Sequence, residues 1–168
     1  MRGVSSLILA LVAAGLASAG SANTVSVQAV AETAPVGTAN DDAADDPAIW
    51  RNARRPADSL IVATDKKAGL YVYGLDGKAR SFVPAGRLNN VDLIDLGASG
   101  VFAVASDRND PAKAALRIYR LDTRSATLKE IGSAPGGAGE AYGVCLMQAG
   151  RSLYAFSVLK HGAVHQEI

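Results

Sequence analysis

A single cysteine, Cys145, excludes an internal disulfide in this chain of 168 residues. It lies in the apolar run Gly143-Val144-Cys145-Leu146-Met147 with no candidate base near it in sequence, so it reads as a small buried hydrophobe. Charge of one sign is not in excess. The formal net charge is +1, and removing Arg2 from the 17 Lys plus Arg leaves 16, equal to the 16 Asp plus Glu. A nucleic-acid surface, which needs a basic excess, is therefore not indicated. The two histidines, His161 and His165, have no Cys or His partners at ligand spacing, so they do not make a zinc site. There is no Gly-rich phosphate loop, no G-x-S-x-G elbow and no Ser/His/Asp signature, so covalent catalysis has no support.

Long apolar runs are also missing, with one short exception. Leu7 to Leu16 is uninterrupted and apolar, too short to span a bilayer, follows Arg2, and precedes Ala17-Ser18-Ala19 and Gly20-Ser21-Ala22. That is the pattern of a cleaved secretory signal over residues 1–22. Nothing later is apolar enough to anchor the chain, so the expectation is an exported protein, periplasmic or secreted, without a membrane anchor.

What is present is a succession of short strands and turn signals with 17 glycines and no helical period. Residues 23–40 form a low-charge N-terminal arm or closing strand. From residue 41 the strands fall into fours. The first group is Pro47–Trp50, Ser59–Thr64, Gly69–Tyr73 and Ala79–Val83. The second is Val91–Leu96, Val101–Ser106, Leu116–Leu121 and Thr127–Ile131. The third is Tyr142–Met147, Leu153–Val158 and Ala163–Ile168. The stretches ATDKKAGLYVYGLDGK and ASDRNDPAKAALRIYRLDTR share a pattern, and four strands every ~40–50 residues is the period of a β-propeller blade.

In a four-stranded meander, the loop before strand one and the loop joining strands two and three share a face. That face should receive Lys66-Lys67, Arg108 and Lys160-His161, together with Asp45-Asp46, Asn89-Asn90, Glu140 and Tyr142. The opposite face should receive Asp76-Gly77, Arg54 and Arg55. Four carboxylates among Asp41, Asp42, Asp45 and Asp46 make either a solvated acidic loop or a metal site. The neighbouring Asn89, Asn90 and Asp92 favour an oxygen-ligand metal such as calcium. Lys66, Lys67, Arg108 and Lys160 beside it suit phosphate, through the planar fork of Arg and the mobile point charge of Lys. Metal-assisted attack by water is the chemistry left standing.

The strings Asp45-Asp46-Pro47-Ala48-Ile49-Trp50, Thr64-Asp65-Lys66-Lys67-Ala68-Gly69-Leu70, Gly86-Arg87-Leu88-Asn89-Asn90-Val91-Asp92, Ala105-Ser106-Asp107-Arg108 and Tyr142-Gly143 closely resemble the β-propeller phytases, calcium-dependent bacterial 3-phytases of alkaline type. The resemblance runs from about Asp41 to the end. It implies an all-β fold, a six-bladed propeller of which residues 41–168 cover about the first three blades. It implies hydrolysis of phytate (myo-inositol hexakisphosphate), taken as its calcium complex, by calcium-bound water in a protein monomeric when full length. It implies phosphate-binding roles for Lys66, Lys67, Arg108, Tyr142 and Lys160, and calcium-binding positions at Asp45, Asp46, Asn89, Asn90, Val91 and Asp92. The family needs about twice this length, so the chain is expected to be a partial sequence, inactive by itself. The alternatives are a lactonase-like metal-dependent propeller hydrolase and an inactive fragment that binds calcium and polyphosphate.

Overall fold

The structure, a computed structural model, describes residues 25–38 and 42–162 and the backbone of 164–167. The expected signal segment 1–22 and Asp41 lie outside the described residues, as do the side chains of the last expected strand. Among the described residues no helix is long and apolar enough to cross a membrane.

Eleven strands are described: β1 Ala44–Trp50, β2 Leu60–Asp65, β3 Gly69–Gly74, β4 Ala79–Pro84, β5 Leu88–Asp95, β6 Val101–Asp107, β7 Lys113–Asp122, β8 Thr127–Ala138, β9 Ala141–Ala149, β10 Ser152–Leu159 and β11 Val164–Glu167. They pair antiparallel in sequence order as three separate sheets, β1–β4, β5–β8 and β9–β11. β1 lies beside β5 and β5 beside β9, so the first strands of successive sheets are neighbours. This is the all-β bladed arrangement that the repeat predicts.

Alternating side chains explain the stacking. Val62, Leu70 and Val72 of the first blade meet Leu88, Val91, Ala103 and Tyr119 of the second in one buried cluster. Fully burying one such aliphatic side chain contributes about 1.5–3 kcal/mol. Gly69 holds the β2–β3 loop against β4. Its φ is +147°, and a Cβ there would stand 2.0 Å from the Val83 carbonyl oxygen.

Two expectations are refined and one is corrected. The arm has no strand over 25–38. Instead it lies along the first blade, where Ala34 N–H donates to the Gly77 carbonyl and Gly37 N–H to the Tyr71 hydroxyl. β8 runs to Ala138, seven residues past the expected Ile131. Its Gly- and Pro-bearing tail pairs with β7 through backbone groups, with two register shifts. Cys145 is exposed, not buried. Its register matches Ala48 and Asp92, which face the following blade, and among the described residues nothing packs beyond β9 on that side.

Candidate functional site

The three blades repeat one backbone device at the same end. The residue after strand two sends its N–H back to the residue before strand one: Lys66 to Ala43 O (2.8 Å), Arg108 to Arg87 O (3.0 Å) and Lys160 to Glu140 O (3.0 Å). Lys66, Arg108 and Lys160 are thus equivalent positions. The register also aligns Ala44, Leu88 and Ala141, opposite Asp65, Asp107 and Leu159. The next two residues of each inner strand are therefore Asp45-Asp46, Asn89-Asn90 and Tyr142-Gly143. The sequence-predicted residues do share one face.

Carboxylates interleave with the cations there. Lys66 Nζ lies 2.8 Å from Asp42 and 3.7 Å from Asp45. Glu140 bridges two blades, with Lys160 Nζ at 3.1 Å and Arg108 Nη1 at 3.7 Å. The hydrogen bond from Lys66 holds the Asp42 carboxyl below the usual carboxylate range, and the charges of Lys67 and Arg108 act in the same direction. Its bond to Asp42 raises Lys66 in turn. Glu140 is held low by its hydrogen bond from Lys160, with Arg108 and Arg87 adding to it. The Arg108 side chain is only 12% exposed, and its Nε has no hydrogen-bond partner among the described residues. A buried guanidinium N–H without an acceptor costs stability unless an anion takes it.

Two turns fix these loops. Asp65 is fully buried, and its Oδ1 accepts from Lys67 N–H and from the Thr38 hydroxyl of the arm. Asp107, the equivalent residue, accepts from Asn109 N–H and Nδ2, and Arg117 pairs with it at 3.2 Å. Lys67 itself and His161 are exposed.

The expected calcium positions are divided by their hydrogen bonds. The inner strands β5 and β9 are sheet edges, so alternate N–H groups point away from their own ladders. Asp46 Oδ2 accepts Val91 N–H at 3.1 Å, and Asp92 Oδ2 accepts Leu146 N–H at 2.7 Å, each from the next blade. Asp92 Oδ1 also accepts Leu93 N–H, so both its oxygens serve backbone donors. Asn89 Nδ2 donates to Asn90 Oδ1 and to the Tyr142 carbonyl, which Ser106 Oγ also reaches at 2.9 Å. Asp45 faces Lys66. Among the described residues no group of three or more His, Cys, Asp or Glu side chains is close enough to enclose a metal. The donor set of Asp45, Asp46 and the Asn89 and Asn90 amides is nonetheless all oxygen, which fits calcium as a partial ligand shell.

Sequence reasoning missed the ion pairs of Glu140 and the charge of Arg87 that acts on it. The available signal was position: both immediately precede an inner strand. A cleft of about 590 Å³ opens on the opposite face around Trp50, Asp95 and Arg120 and holds none of the cation row.

Comparison with known proteins agrees with the resemblance drawn from the motifs. The curated 3-phytase of Bacillus subtilis (strain 168) is 44% identical over 101 residues, 58% of this chain. The matched stretch is 26% of that protein, so the chain spans about a quarter of the length of this relative. A sequence model of the phytase family matches residues 2–167. With nearly the whole chain matched, the chain belongs to the phytase family.

Proposed function

We propose that the protein carrying this sequence hydrolyses phosphate monoesters of phytate, with Lys66, Lys67, Arg108, Tyr142 and Lys160 holding the phosphates. The observation behind this reading is the cation row itself: one Lys or Arg at the same register of three successive blades, with Arg108 nearly buried and its Nε unpartnered among the described residues. Family membership and the name of the 3-phytase relative support the substrate.

Asp42 and Glu140 hold Lys66, Arg108 and Lys160 in place before substrate arrives. A phosphate oxygen then exchanges with a carboxylate oxygen at an ammonium or guanidinium that is already oriented, which reduces the ordering cost of binding. Arg108 gives two in-plane donors to one phosphate, and its attraction grows as negative charge accumulates on the oxygens around phosphorus. Tyr142 is half exposed, and Asn89 and Ser106 fix its carbonyl, which ties its backbone to the second blade. Asp45, Asp46, Asn89, Asn90 and the Val91 backbone are the calcium positions of this proposal. Bound calcium would screen the phosphate charges and acidify water for attack on phosphorus. Export is part of the same proposal, through residues 1–22.

The test is phosphate release from phytate by the full-length protein, with calcium titrated in and then chelated. Release that requires calcium and falls about 10²-fold or more in Arg108→Ala is expected, the scale of losing one strong transition-state donor. No release at any calcium concentration would reject the reading.

A further inference from the structure

The cleft of about 590 Å³ on the face opposite the cation row is walled by the first two blades together. Trp50 enters it from the end of β1, and Asp95, Arg120, Asp122, Arg124 and Lys129 enter it from the second blade. A second cleft, of about 420 Å³, adjoins it and shares Trp50, Thr123 and Arg124. The two make one groove along the junction of two four-stranded sheets. Each lies within the range of small-molecule sites, about 300–1,000 Å³.

Charge in the groove is one-sided once its hydrogen bonds are followed. Asp95 accepts the Trp50 indole N–H at 2.9 Å on Oδ2 and Gly97 N–H at 2.9 Å on Oδ1. Asp122 Oδ1 accepts the N–H groups of Arg124 and Ser125. Among the described residues no salt bridge includes Asp95, Asp122, Arg120, Arg124 or Lys129. Arg120 is placed all the same. Its guanidinium carbon lies 5.7 Å from the Phe102 ring centroid. Gly100 beside it has φ +107°, and a Cβ there would stand 2.8 Å from Arg120 Nη2, so glycine clears the space that the guanidinium fills. The turn carrying Thr123 and Arg124 is tied to the first blade by Ser81, whose hydroxyl donates to the Ala126 carbonyl at 2.6 Å. Ala126 is held there at φ +53°, a left-handed conformation uncommon for a residue with a side chain.

We infer that this groove binds an acidic saccharide, a short chain of uronate sugars, at a site that shares no residue with the proposed phosphate site. Three cations without salt-bridge partners favour a ligand of negative charge, and the planar fork of Arg120 matches a carboxylate. Trp50 is the one large apolar side chain of the lining that stays part-exposed, since Leu60, Val101 and Leu121 are buried. Around it Thr123, Ser125 and Thr127 supply hydroxyls. A sugar ring suits that arrangement: its C–H face lies on the negative face of an indole while its hydroxyls reach the polar rim. An aliphatic acid would need apolar walls that the groove lacks, and an acidic peptide would leave the indole unused.

Trp50 is the only tryptophan of the chain, so its emission reports on the groove. The experiment titrates the full chain with trigalacturonate, neutral galactotriose and hexaglutamate, following Trp50 emission and binding heat, with melting temperature as a folding control for each variant. Trigalacturonate should bind saturably with Kd below about 1 mM and about tenfold or more tighter than the neutral trisaccharide. Arg120→Ala should weaken it about tenfold, the scale of one charge-assisted hydrogen bond at an exposed group. Arg120→Lys, which keeps the charge without the fork, should recover only part of that loss. Arg54→Ala, at an exposed cation that lines neither cleft, and Lys66→Ala, in the phosphate row, should leave it unchanged. Neither heat nor emission change at millimolar trigalacturonate, or equal affinity for the neutral sugar, would overturn the inference. So would a loss in Arg54→Ala or Lys66→Ala equal to that in Arg120→Ala, because the attraction would then be general charge or the phosphate row. Tighter binding of hexaglutamate would assign the groove to acidic peptides and overturn it as well.

Discussion

Asp92 lies where two roles compete, and its replacement separates them. The structure commits both oxygens to backbone donors: Leu93 N–H at 2.7 Å on its own strand and Leu146 N–H at 2.7 Å on the inner edge of the third blade. Asp92→Ala leaves the Leu146 N–H without its acceptor at a sheet edge where no other described strand supplies one. A hydrogen bond to a charged group contributes about 1.5–3 kcal/mol, and an abandoned, part-buried N–H costs about 1–3 kcal/mol. Asp92 is itself part-exposed, which places the expected loss near the lower end, about 2 kcal/mol. Asp92→Asn keeps one acceptor oxygen and should lose about half as much. Urea denaturation of the full chain measures this, with a lower midpoint and an unchanged slope. The same titration in calcium and in chelator decides between the roles. A blade-to-blade link predicts the same loss in both, because the bond needs no metal. A calcium ligand predicts a loss that grows with calcium, since the parent alone gains the binding free energy. A difference confined to calcium-containing buffer, or an Ala variant within about 0.5 kcal/mol of the parent in chelator, would refute the structural reading.

Three further outcomes are expected. Glu140 titrates below its ordinary value because Lys160 bonds its charged form, so its favourable contribution is complete above the unfolded value of 4.5 and is lost as pH falls through the lower folded value. In an NMR pH titration Lys160→Ala should move the Glu140 midpoint back upward, and an unchanged midpoint would contradict the pairing. Tyr119 is fully buried, with its hydroxyl unpartnered among the described residues and pushed up to about 12 by burial. Tyr119→Phe should therefore leave stability unchanged or raise it by up to about 1 kcal/mol, and a loss above about 1 kcal/mol would mean that the hydroxyl has a partner. For the proposed export, N-terminal sequencing of the exported protein should begin after Ala19 or Ala22; recovery of Arg2 would contradict it.

The strands, the blade repeat and the face of the cations were legible in the sequence because each is a local pattern. Short apolar runs, alternating in part, mark β2, β3, β6 and β7, and the loops at Lys66, Arg108 and Lys160 recur at blade spacing. What pairs across blades was not legible. Asp92 meets Leu146 across 54 positions and Asp46 meets Val91 across 45, and nothing in either neighbourhood of the sequence names the other. Acidic residues beside asparagines therefore read as metal ligands, and the fold gives two of them, Asp46 and Asp92, a bond to the next blade's strand edge that the sequence does not announce. The tail of β8 was missed for a related reason: Gly132 to Ala138 carries no side-chain alternation, and its pairing with β7 is made by backbone groups. Cys145 shows the converse. An apolar run predicts burial, but burial needs a second surface, and tertiary structure alone decides whether a described element lies against that face. Sequence determines which groups a strand offers and on which side; packing determines which of those offers is met, because the partner is brought from elsewhere in the chain.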